Sequence, residues 1–582
     1  MAAMHILGLS CFYHDAAVCL LREGVPIAAA SEQAFTRKKH DSDFPIQGIR
    51  WALKQAGIRA DQIDAVAFYD KPLVKFDRLL RYQMEHFPGS FKSFVTSMPR
   101  WMGTRLRLRK ILKDEIGFSG PILYSEHHLS HAASAYYTSG FEKAAVLTVD
   151  GVGEWATCSR GVGEGNKLTL LDEIRFPHSL GLLYSAMTFY CGFKVNSAEY
   201  KLMGLAPYGE PTLMEEVRQL IDVKDDGSFR LNMEYFAFER GEAMFTTAFE
   251  DLMGAPKRPL GDGEMSAHYQ NAARSIQELF NEVMVKLAKS AMDAAGSRKL
   301  CMAGGVALNC VANGHILREA KPDELYIQPA AGDAGGAMGA ALVAWHQLLE
   351  NPQGPRLPTP YLGPGYSEEE IRATLDRYGA VYRRLERQPL LDEVAELLDT
   401  AHVVGWYQDR LEWGPRALGH RSILGDARHP EMRSIINMRI KFREGFRPFA
   451  PSCLESQVEE YFEIDRPSPY MLLVAPVRTK YREQLQAITH VDGSARIQTV
   501  NPEQEPLYHD LIETFFKRTG CPIVINTSLN VRGEPIVNTP EDAYLCFMRT
   551  KMDAMALGPF LCLKPGQPDL KLKSAAEAFG YD

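Results

Sequence analysis

The 582-residue sequence lacks a long apolar run, a closely spaced cysteine pair and a secretion signal. No stretch approaches the roughly 18 apolar residues of a membrane helix, so no membrane span is expected. The first residues, MAAMHILGLSCFYHD, lack the basic start of a signal peptide and predict a strand. Ten cysteines without a C-x-x-C pair predict reduced core thiols in a cytoplasmic protein, rather than disulfides or a zinc site.

The sequence also lacks a surplus of basic residues. Its formal net charge is −8, which argues against a mainly electrostatic nucleic-acid binder, so neither nucleic acid nor membrane is expected as a partner. With 46% hydrophobic and 24% charged residues the chain has the composition of a globular protein, which excludes disordered and fibrous classes. At roughly 100–200 residues per domain, this length predicts two large domains or several smaller ones.

The N-terminal part predicts a repeated unit. Three apolar segments, HILGLS, AAVCLL and VPIAAASEQ, are separated by polar turns, and a helix over 46–57 and a strand over 64–70 follow. The pattern returns near residue 145 in AAVLTVDGVGEWATCSRGVG. Two such units predict a duplicated α/β fold of the actin-like (ASKHA) type.

A change of composition marks a domain boundary. The segment NPQGPRLPTPYLGPG is rich in proline and glycine, which is typical of a linker. We therefore expect a first domain over 1–352, a linker over 353–366 and a second α/β domain over 367–582.

Four residues of the first domain predict a metal site. His127 and His131 are four residues apart, which places both imidazoles on one helix face, although two ordinary polar helix positions would have the same spacing. Asp150 and Asp333 each follow an apolar strand, and turns at strand ends of a duplicated α/β fold meet in one cleft. Two imidazoles with two carboxylates suit iron, manganese or zinc better than calcium.

Two glycine-rich segments, GGVALN (304–309) and GDAGGAMG (332–339), follow strands. Either is an ordinary turn or a phosphate-binding helix start, and neither matches the P-loop or dinucleotide fingerprint. Their position beside the predicted metal site favours nucleotide binding, with candidate residues Gly304, Gly305, Asn309, Gly332 and Gly335.

Long and specific motifs lie along nearly the whole chain: HHLSHAASAYY, DGVGEWAT, EYKLMGLAPYG, WGPRALGHRSILGDAR, KFREGFRPFAPS and INTSLNVRGEPIV. They resemble the O-carbamoyltransferase family, which includes nodulation-factor, cephamycin and tobramycin carbamoyltransferases. This resemblance implies a YrdC-like second domain that forms carbamoyl adenylate from carbamoyl phosphate and ATP with Mg²⁺. The first domain would then transfer the carbamoyl group to a hydroxyl at a divalent metal, with Fe²⁺ expected and Mn²⁺ or Zn²⁺ as alternatives.

The implied carbamoyl phosphate site should be rich in arginine and in polar donors, because the ligand is a small dianion. Any single arginine is also readable as a solvated surface charge, and the NTSLN residues as turn caps. The candidates in the second domain are Arg416, Arg421, Lys441, Arg447, Arg496, Asn526, Ser528, Asn530 and Arg532.

The implied transfer reaction needs a base and contacts to the adenylate. His14 is the candidate base, with a turn-capping role as the alternative, and Asp15 would bind a second cation or cap the turn. Lys201 is expected to contact the adenylate, and Glu154 its ribose or the acceptor.

The acceptor is expected to be a hydroxylated small molecule, as in natural-product biosynthesis, bound by segments such as 70–115 and 225–265. Its identity is not readable, and a homodimer is one option for the oligomeric state. Two alternatives stay open: a threonylcarbamoyl-adenylate and tRNA-modification fusion, and a non-catalytic nucleotide-binding regulator.

Overall fold

The computed structural model describes residues 3–240, 243–261, 265–443 and 447–580. The chain divides into unit 1, residues 1–32 and 40–358, and unit 2, residues 33–39 and 359–582. The division after Pro358 falls inside the proline-rich segment, and Leu357 stays in unit 1 because its N–H donates to the Thr138 carbonyl (2.9 Å).

One segment departs from the expected continuous first domain. Residues 33–39 belong to unit 2. The reason is Arg37, whose guanidinium donates to the carbonyl of Ile536 (2.7 Å) and to the carboxylate of Glu534 (3.0 Å). Contacts of this kind join positions about 500 residues apart, and no local sequence pattern signals them.

The first sheet of unit 1 has the strand order β3-β2-β1-β4-β5. Its first three strands are antiparallel neighbours, whereas β4 and β5 run parallel to β1. All six residues of the first strand are buried, so the predicted N-terminal strand lies in the core. The strands are β1 (His5–Ser10), β2 (Ala17–Arg22), β3 (Val25–Ser31), β4 (Ala65–Phe68) and β5 (Ile122–Tyr124).

The second sheet repeats the first, with the order β8-β7-β6-β11-β12 and the same pattern of antiparallel and parallel pairs. The predicted duplication is therefore confirmed, and the strand order is that of an actin-like fold. The strands of this sheet are β6 (Lys143–Val149), β7 (Ala156–Glu164), β8 (Lys167–Arg175), β11 (Lys299–Ala303) and β12 (Glu324–Ile327). A separate two-stranded hairpin consists of β9 (Ile221–Val223) and β10 (Phe229–Leu231).

Helices flank and connect these sheets. The helix over residues 267–295 buries an apolar stripe that includes Ile276, Phe280 and Met284. The helix α1 (Gln33–Thr36) lies in the segment 33–39, which belongs to unit 2. The helices of unit 1 are α2 (Ile46–Ala56), α3 (Pro72–Glu85), α4 (Phe91–Gly103), α5 (Leu108–Ile116), α6 (His127–Ser139), α7 (Leu180–Tyr190), α8 (Glu199–Leu205), α9 (Met214–Gln219), α10 (Thr247–Met253), α11 (Ala267–Ala295), α12 (Cys310–His315) and α13 (Asp333–Val343).

Unit 2 is an α/β domain on one mixed sheet of nine strands, in the order β13-β21-β20-β14-β15-β19-β16-β18-β17. Its strands are β13 (Arg383–Arg384), β14 (Val404–Tyr407), β15 (Arg421–Asp426), β16 (Ala450–Leu454), β17 (Leu473–Pro476), β18 (Ser494–Val500), β19 (Ile523–Ser528), β20 (Ala554–Leu557) and β21 (Phe560–Leu563). Its other helices are α14 (Glu368–Arg377), α15 (Arg387–Asp399), α16 (Met432–Ile436), α17 (Val458–Tyr461), α18 (Pro506–Thr519), α19 (Pro540–Arg549) and α20 (Ala575–Phe579).

All ten cysteines are buried and form no disulfide. Among the described residues, no helix has the length and apolarity that a membrane crossing requires.

Candidate metal centre

The duplication brings four predicted ligands to one place in unit 1. The helix α6, which starts with His127, follows the last strand of the first sheet, and α13, which starts with Asp333, follows the last strand of the second. Asp150 directly follows β6, the first strand of the second sheet, just as His14 and Asp15 lie in the turn after β1. Equivalent strand ends of the two repeats therefore supply the site.

The four side chains of the cluster are buried and close together. The Nε2 atom of His127 lies 3.1 Å from Nε2 of His131, 3.1 Å from Oδ2 of Asp150 and 3.6 Å from Oδ1 of Asp333. Nε2 of His131 lies 3.9 Å from Oδ2 of Asp150 and 3.6 Å from Oδ1 of Asp333. One ligand atom from each side chain thus falls within 4.8 Å of all the others.

This donor set fits a divalent transition metal. Two ligands held about 2.1 Å from one ion lie roughly 3.0–3.4 Å apart in octahedral or tetrahedral geometry, close to the observed separations. Within the described part of the chain, the buried Oδ2 atom of Asp333 has no hydrogen-bond partner. Buried carboxylates without full pairing are costly, and a cation would remove that cost. The cluster is therefore one that could bind a metal.

The charges of the cluster stabilise one another. Burial disfavours the imidazolium of His127, but the hydrogen bond to Asp150 and the charge of Asp333 outweigh burial and raise its pKa. Burial likewise opposes ionisation of Asp150, yet the neighbouring histidines hold its pKa well below the usual range.

The backbone around Gly304 fixes the carboxylate of Asp150. Gly304 has φ of +94°, and a Cβ atom there would lie 2.2 Å from the Val149 carbonyl oxygen, so only glycine fits. The next N–H, of Gly305, donates to Oδ1 of Asp150 (2.9 Å). That bond leaves Oδ2 directed at His127.

His14 and Asp15 lie beside the cluster. Nε2 of His14 is 3.8 Å from Oδ2 of Asp333, and Nδ1 is 3.1 Å from Oδ2 of Asp15. Oδ1 of Asp15 is 2.9 Å from Nδ1 of His40, which the sequence did not single out. Burial lowers the pKa of His14, but the charges of Asp333 and Asp15 overcome this and raise it to about 10. In this state His14 is protonated at neutral pH.

Glu154 has a different environment from the one expected. Its carboxylate accepts hydrogen bonds from the backbone N–H of His127 (3.0 Å) and of Lys71 (2.7 Å). The N–H of His127 is one of the unpaired donors at the start of α6, so Glu154 holds that end of the helix in place. Its contact with ribose or acceptor stays a prediction.

The two glycine-rich segments differ in what their glycines do. A Cβ at Gly335 would lie 2.1 Å from the Ala330 carbonyl oxygen, so that glycine is required by packing. A Cβ at Gly332 would meet nothing closer than 3.9 Å, so packing does not explain it. Asn309 caps α12 by accepting from the N–H of Ala312 (3.1 Å). Lys201 is buried, with its amine 6.0 Å from the centre of the Phe193 ring.

In unit 2 the structure brings three of the predicted anion-binding residues together. The amine of Lys441 is buried against Ser528 and Asn530, and it donates to Oδ1 of Asn530 (2.7 Å) and to the Asn530 carbonyl (3.0 Å). Burial, together with the positive charges of Arg443 and Arg447, lowers the Lys441 pKa well below its usual value.

The remaining candidates of unit 2 occupy varied environments. The fully buried guanidinium of Arg421 donates to the carbonyls of Asp409 (2.9 Å) and Pro364 (3.2 Å) and stacks over a tyrosine ring, which indicates a structural role. The amide of Asn526 donates to Oε1 of Gln498 (2.9 Å). Four arginines are only half-buried: Arg416, Arg447, Arg496 and Arg532.

Sequence reasoning missed two buried cations of unit 1. Lys75 pairs with Asp70 (3.1 Å), and Arg78 donates to the carbonyl of Gly153 (2.9 Å). Both lie on α3, at the wall of the site. The sequence carries a signal for them, because charged residues occupy the inward-facing positions of an otherwise amphipathic helix.

The repeated strand order and the His/Asp cluster define unit 1 as an actin-like domain that could hold a metal ion. The family assignment comes from a family model described as the carbamoyltransferase N-terminus, which matches residues 5–342, and one described as its C-terminus, which matches 395–564. The chain belongs to this carbamoyltransferase family and is an enzyme of that kind.

Curated relatives agree with this assignment. The chain is 51% identical to an uncharacterized protein of Synechocystis sp., over 97% of each chain. It is 36% identical to nodulation protein NolNO of Sinorhizobium fredii, over 95% of this chain and 79% of the relative. It is 27% identical to nodulation protein U of Rhizobium tropici, over 93% of each.

Solved structures resemble the chain only distantly. The alignment with (R)-2-hydroxyglutaryl-CoA dehydratase component A from Acidaminococcus fermentans covers 60% of this chain and 99% of that protein, at 14% identity and a TM-score of 0.30. The alignment with a full-length HypF covers 60% of this chain and 56% of that protein, at 13% identity and a TM-score of 0.32. The actin-like assignment rests on the strand order, not on these scores.

Proposed function

We propose that the protein is an ATP-dependent O-carbamoyltransferase. Unit 2 converts carbamoyl phosphate, ATP and water into carbamoyl adenylate, phosphate and pyrophosphate, and unit 1 transfers the carbamoyl group to a hydroxyl of a small molecule and releases AMP. The observation that carries the proposal is the buried cluster of His127, His131, Asp150 and Asp333 next to His14, in a chain of the carbamoyltransferase family.

The four cluster residues would hold the metal. Two imidazoles and two carboxylates favour Fe²⁺, and Mn²⁺ or Zn²⁺ can use the same donors. When bound, the ion supplies Lewis-acid stabilisation for the oxygen charge that develops during carbamoyl transfer. Gly305 keeps Asp150 in position for it.

The chain's own residues manage the proton and the leaving group. The acceptor oxygen forms a bond to the carbamoyl carbon, the bond from that carbon to the AMP phosphate oxygen breaks, and the hydroxyl proton must be accepted. His14 is the candidate base. Burial lowers its pKa, but Asp333 and Asp15 raise it to about 10, so a cation that shared the charge of Asp333 would lower this pKa and help His14 to accept a proton. Gly332 and Lys201 would contact the adenylate.

The first step is assigned to the Lys441 region of unit 2. Burial lowers the Lys441 pKa, and the positive charges of Arg443 and Arg447 lower it further, so both guanidinium groups act on this amine. A dianion such as carbamoyl phosphate, or the phosphates of ATP with Mg²⁺, would offset the repulsion among these basic groups. Ser528 and Asn530, which contact Lys441, would orient the carbamoyl amide.

The test uses purified protein, radiolabelled carbamoyl phosphate, ATP and Mg²⁺. We expect pyrophosphate release that depends on carbamoyl phosphate, and AMP release with label transfer when a mixture of hydroxylated metabolites is added. Label incorporation only in the presence of threonine would favour the tRNA-modification alternative. Absence of any carbamoyl-phosphate-dependent pyrophosphate release would favour a nucleotide-binding regulator. The hydroxylated acceptor, a cytoplasmic location and a homodimeric state are further parts of this proposal.

A further inference from the structure

The segment between β4 and β5 carries α3, α4 and α5, and its first helix has an inverted distribution of side chains. We refer to residues 72–116 as the helical insertion. On its first helix the buried side chains are Lys75 and Arg78, whereas Leu73 and Met84 are 72% and 77% exposed. A surface helix normally buries its apolar face and exposes its charges.

The inward charges are explained by the neighbouring metal centre. Arg78 donates to the carbonyl of Gly153, and Lys75 pairs with Asp70. The residue before the insertion, Lys71, donates its N–H to Glu154, which also holds His127. The inner face of the insertion thus forms a wall of the metal centre. The contacts of this wall do not account for the apolar side chains exposed on the outer face.

The outer face is unusually apolar for a protein surface. Ten large apolar side chains of the described residues are more than half exposed, and five of them fall within these 45 residues. Scattered exposed apolar residues are normal, but a concentration of them marks an interaction surface. The five are Leu73, Met84, Phe87, Phe91 and Val95.

The same segment is strongly basic. It contains ten lysines and arginines but four acidic residues, a net charge of +6 in a chain of net charge −8. Arg107, Lys110 and Lys113 are exposed, and none of them forms an ion pair with a carboxylate in the described part of the chain. The positive charge at this end of the insertion is therefore available to an external anion.

We propose that the helical insertion is a docking surface for an anionic lipid bilayer. Exposed phenylalanine, leucine and methionine in the first part of the segment and exposed basic residues near its end are the two features that bind a peripheral protein to such a surface. A second copy is a poorer occupant, because two surfaces of the same net positive charge would face each other. Docking would bring the wall of the metal centre to the lipid surface. The inference concerns binding and does not depend on the proposed reaction.

The test is co-sedimentation of the full-length protein with phospholipid vesicles. We expect binding to equimolar phosphatidylcholine and phosphatidylglycerol, little binding to phosphatidylcholine alone, and release at salt near 1 M, where the Debye length is about 3 Å. Equal binding to both vesicle types, or binding to neither, would overturn the proposal.

Charge-reversal variants locate the surface. Each basic residue near an anionic bilayer contributes about fivefold to partitioning, so reversing three of them should weaken binding by roughly a hundredfold or more. A control with the same change in charge on exposed residues of unit 2 should bind as the unmodified protein does. If the control loses binding equally, the attraction is not specific to the insertion. The variant is R107E/K110E/K113E, and the control is R372E/K571E/K573E.

The contribution of the apolar side chains is tested with a separate variant and a matched control. Replacing three exposed apolar residues of the insertion should weaken vesicle binding at least tenfold, and a matched control elsewhere should not. Circular dichroism and carbamoyl-phosphate-dependent pyrophosphate release, measured without vesicles, show whether each variant is folded. If the insertion variant alone turned a dimer into a monomer in sedimentation velocity runs, the surface would be a contact between copies and the proposal would be wrong. The variant is L73S/M84S/F87S, and the control is L348S/V381S/V491S.

Discussion

The Nε2 atoms of His127 and His131 face each other at 3.1 Å, one helical turn apart on α6. Both also face carboxylate oxygens of Asp150 and Asp333. In this arrangement either the proton of one imidazole or a cation must lie between the two nitrogens, because two lone pairs at this distance repel. The cluster is thus suited to hold a cation.

Replacing Asp150 with asparagine should remove metal binding. The substitution keeps the shape of the side chain but removes its charge, and it changes one of the four donors. Mutation of a residue that only supports a metal ligand typically lowers metal affinity 10–100-fold, so the change of a ligand itself should lower it by about a hundredfold or more. Metal content after dialysis, measured by mass spectrometry, checks this. The control is His40→Gln, a nearby histidine outside the ligand set, and unchanged metal content in Asp150→Asn would contradict the site.

Alanine at Gly332 and at Gly335 should have opposite effects. Gly332→Ala meets no atom closer than 3.9 Å, so thermal stability should change by about 0.5 kcal/mol or less while adenylate binding falls. Gly335→Ala would clash with Ala330 and should cost about 1–3 kcal/mol in unfolding free energy. Calorimetry of unfolding and of nucleotide binding separates the two. Full nucleotide affinity in Gly332→Ala would remove this glycine from the binding site.

The two steps should fail separately. Asp150→Ala should abolish carbamoyl transfer but leave adenylate formation measurable, because Asp150 belongs to unit 1. Arg447→Ala should stop adenylate formation itself, by about a hundredfold if Arg447 contacts the reacting phosphate. Pyrophosphate release, which accompanies adenylate formation, and label transfer, measured side by side, test this, with Arg447→Lys as the conservative comparison. Equal loss of pyrophosphate release in both alanine variants would refute the division between the units.

Lys564 should make stability depend on pH. Burial lowers the pKa of Lys564 to about 8, whereas an unfolded lysine titrates near 10.4. Between these values the unfolded chain binds more protons, so this lysine makes the unfolding free energy rise with pH from about 8 to 10.4. Denaturant titrations of the unmodified protein and of Lys564→Met should be made at several pH values in this window. As the pH rises, the unfolding free energy of the unmodified protein should increase relative to that of Lys564→Met. A constant difference would mean that the lysine is charged in the fold.

The repeats could be predicted because each strand has a continuous apolar pattern and each is followed by a polar turn. The spacing of His127 and His131 predicts their common helix face, and in the repeats Asp150 is equivalent to the His14–Asp15 turn and Asp333 to His127. These features depend on local periodicity and on one symmetry argument, so the sequence alone is sufficient to predict the cluster.

The environment of single side chains was less predictable. Glu154 holds a helix start, Arg421 binds carbonyls, and Arg37 joins a segment to unit 2. In each case the partner is a backbone group or a residue far away in the sequence, so no local pattern indicates it. The inward lysine and arginine of α3 contradict the usual helix pattern for the same reason.

The positions of the four cluster residues have a thermodynamic consequence. They come from a helix start in one repeat and from a strand end and a helix start in the other, over more than 200 residues of chain. An ion that binds them only in the folded state would stabilise the whole of unit 1 by mass action, by about 2.7 kcal/mol at a hundredfold excess over its dissociation constant. The melting temperature of the protein would then report the free metal concentration, and a chelator would act on it as a mild denaturant.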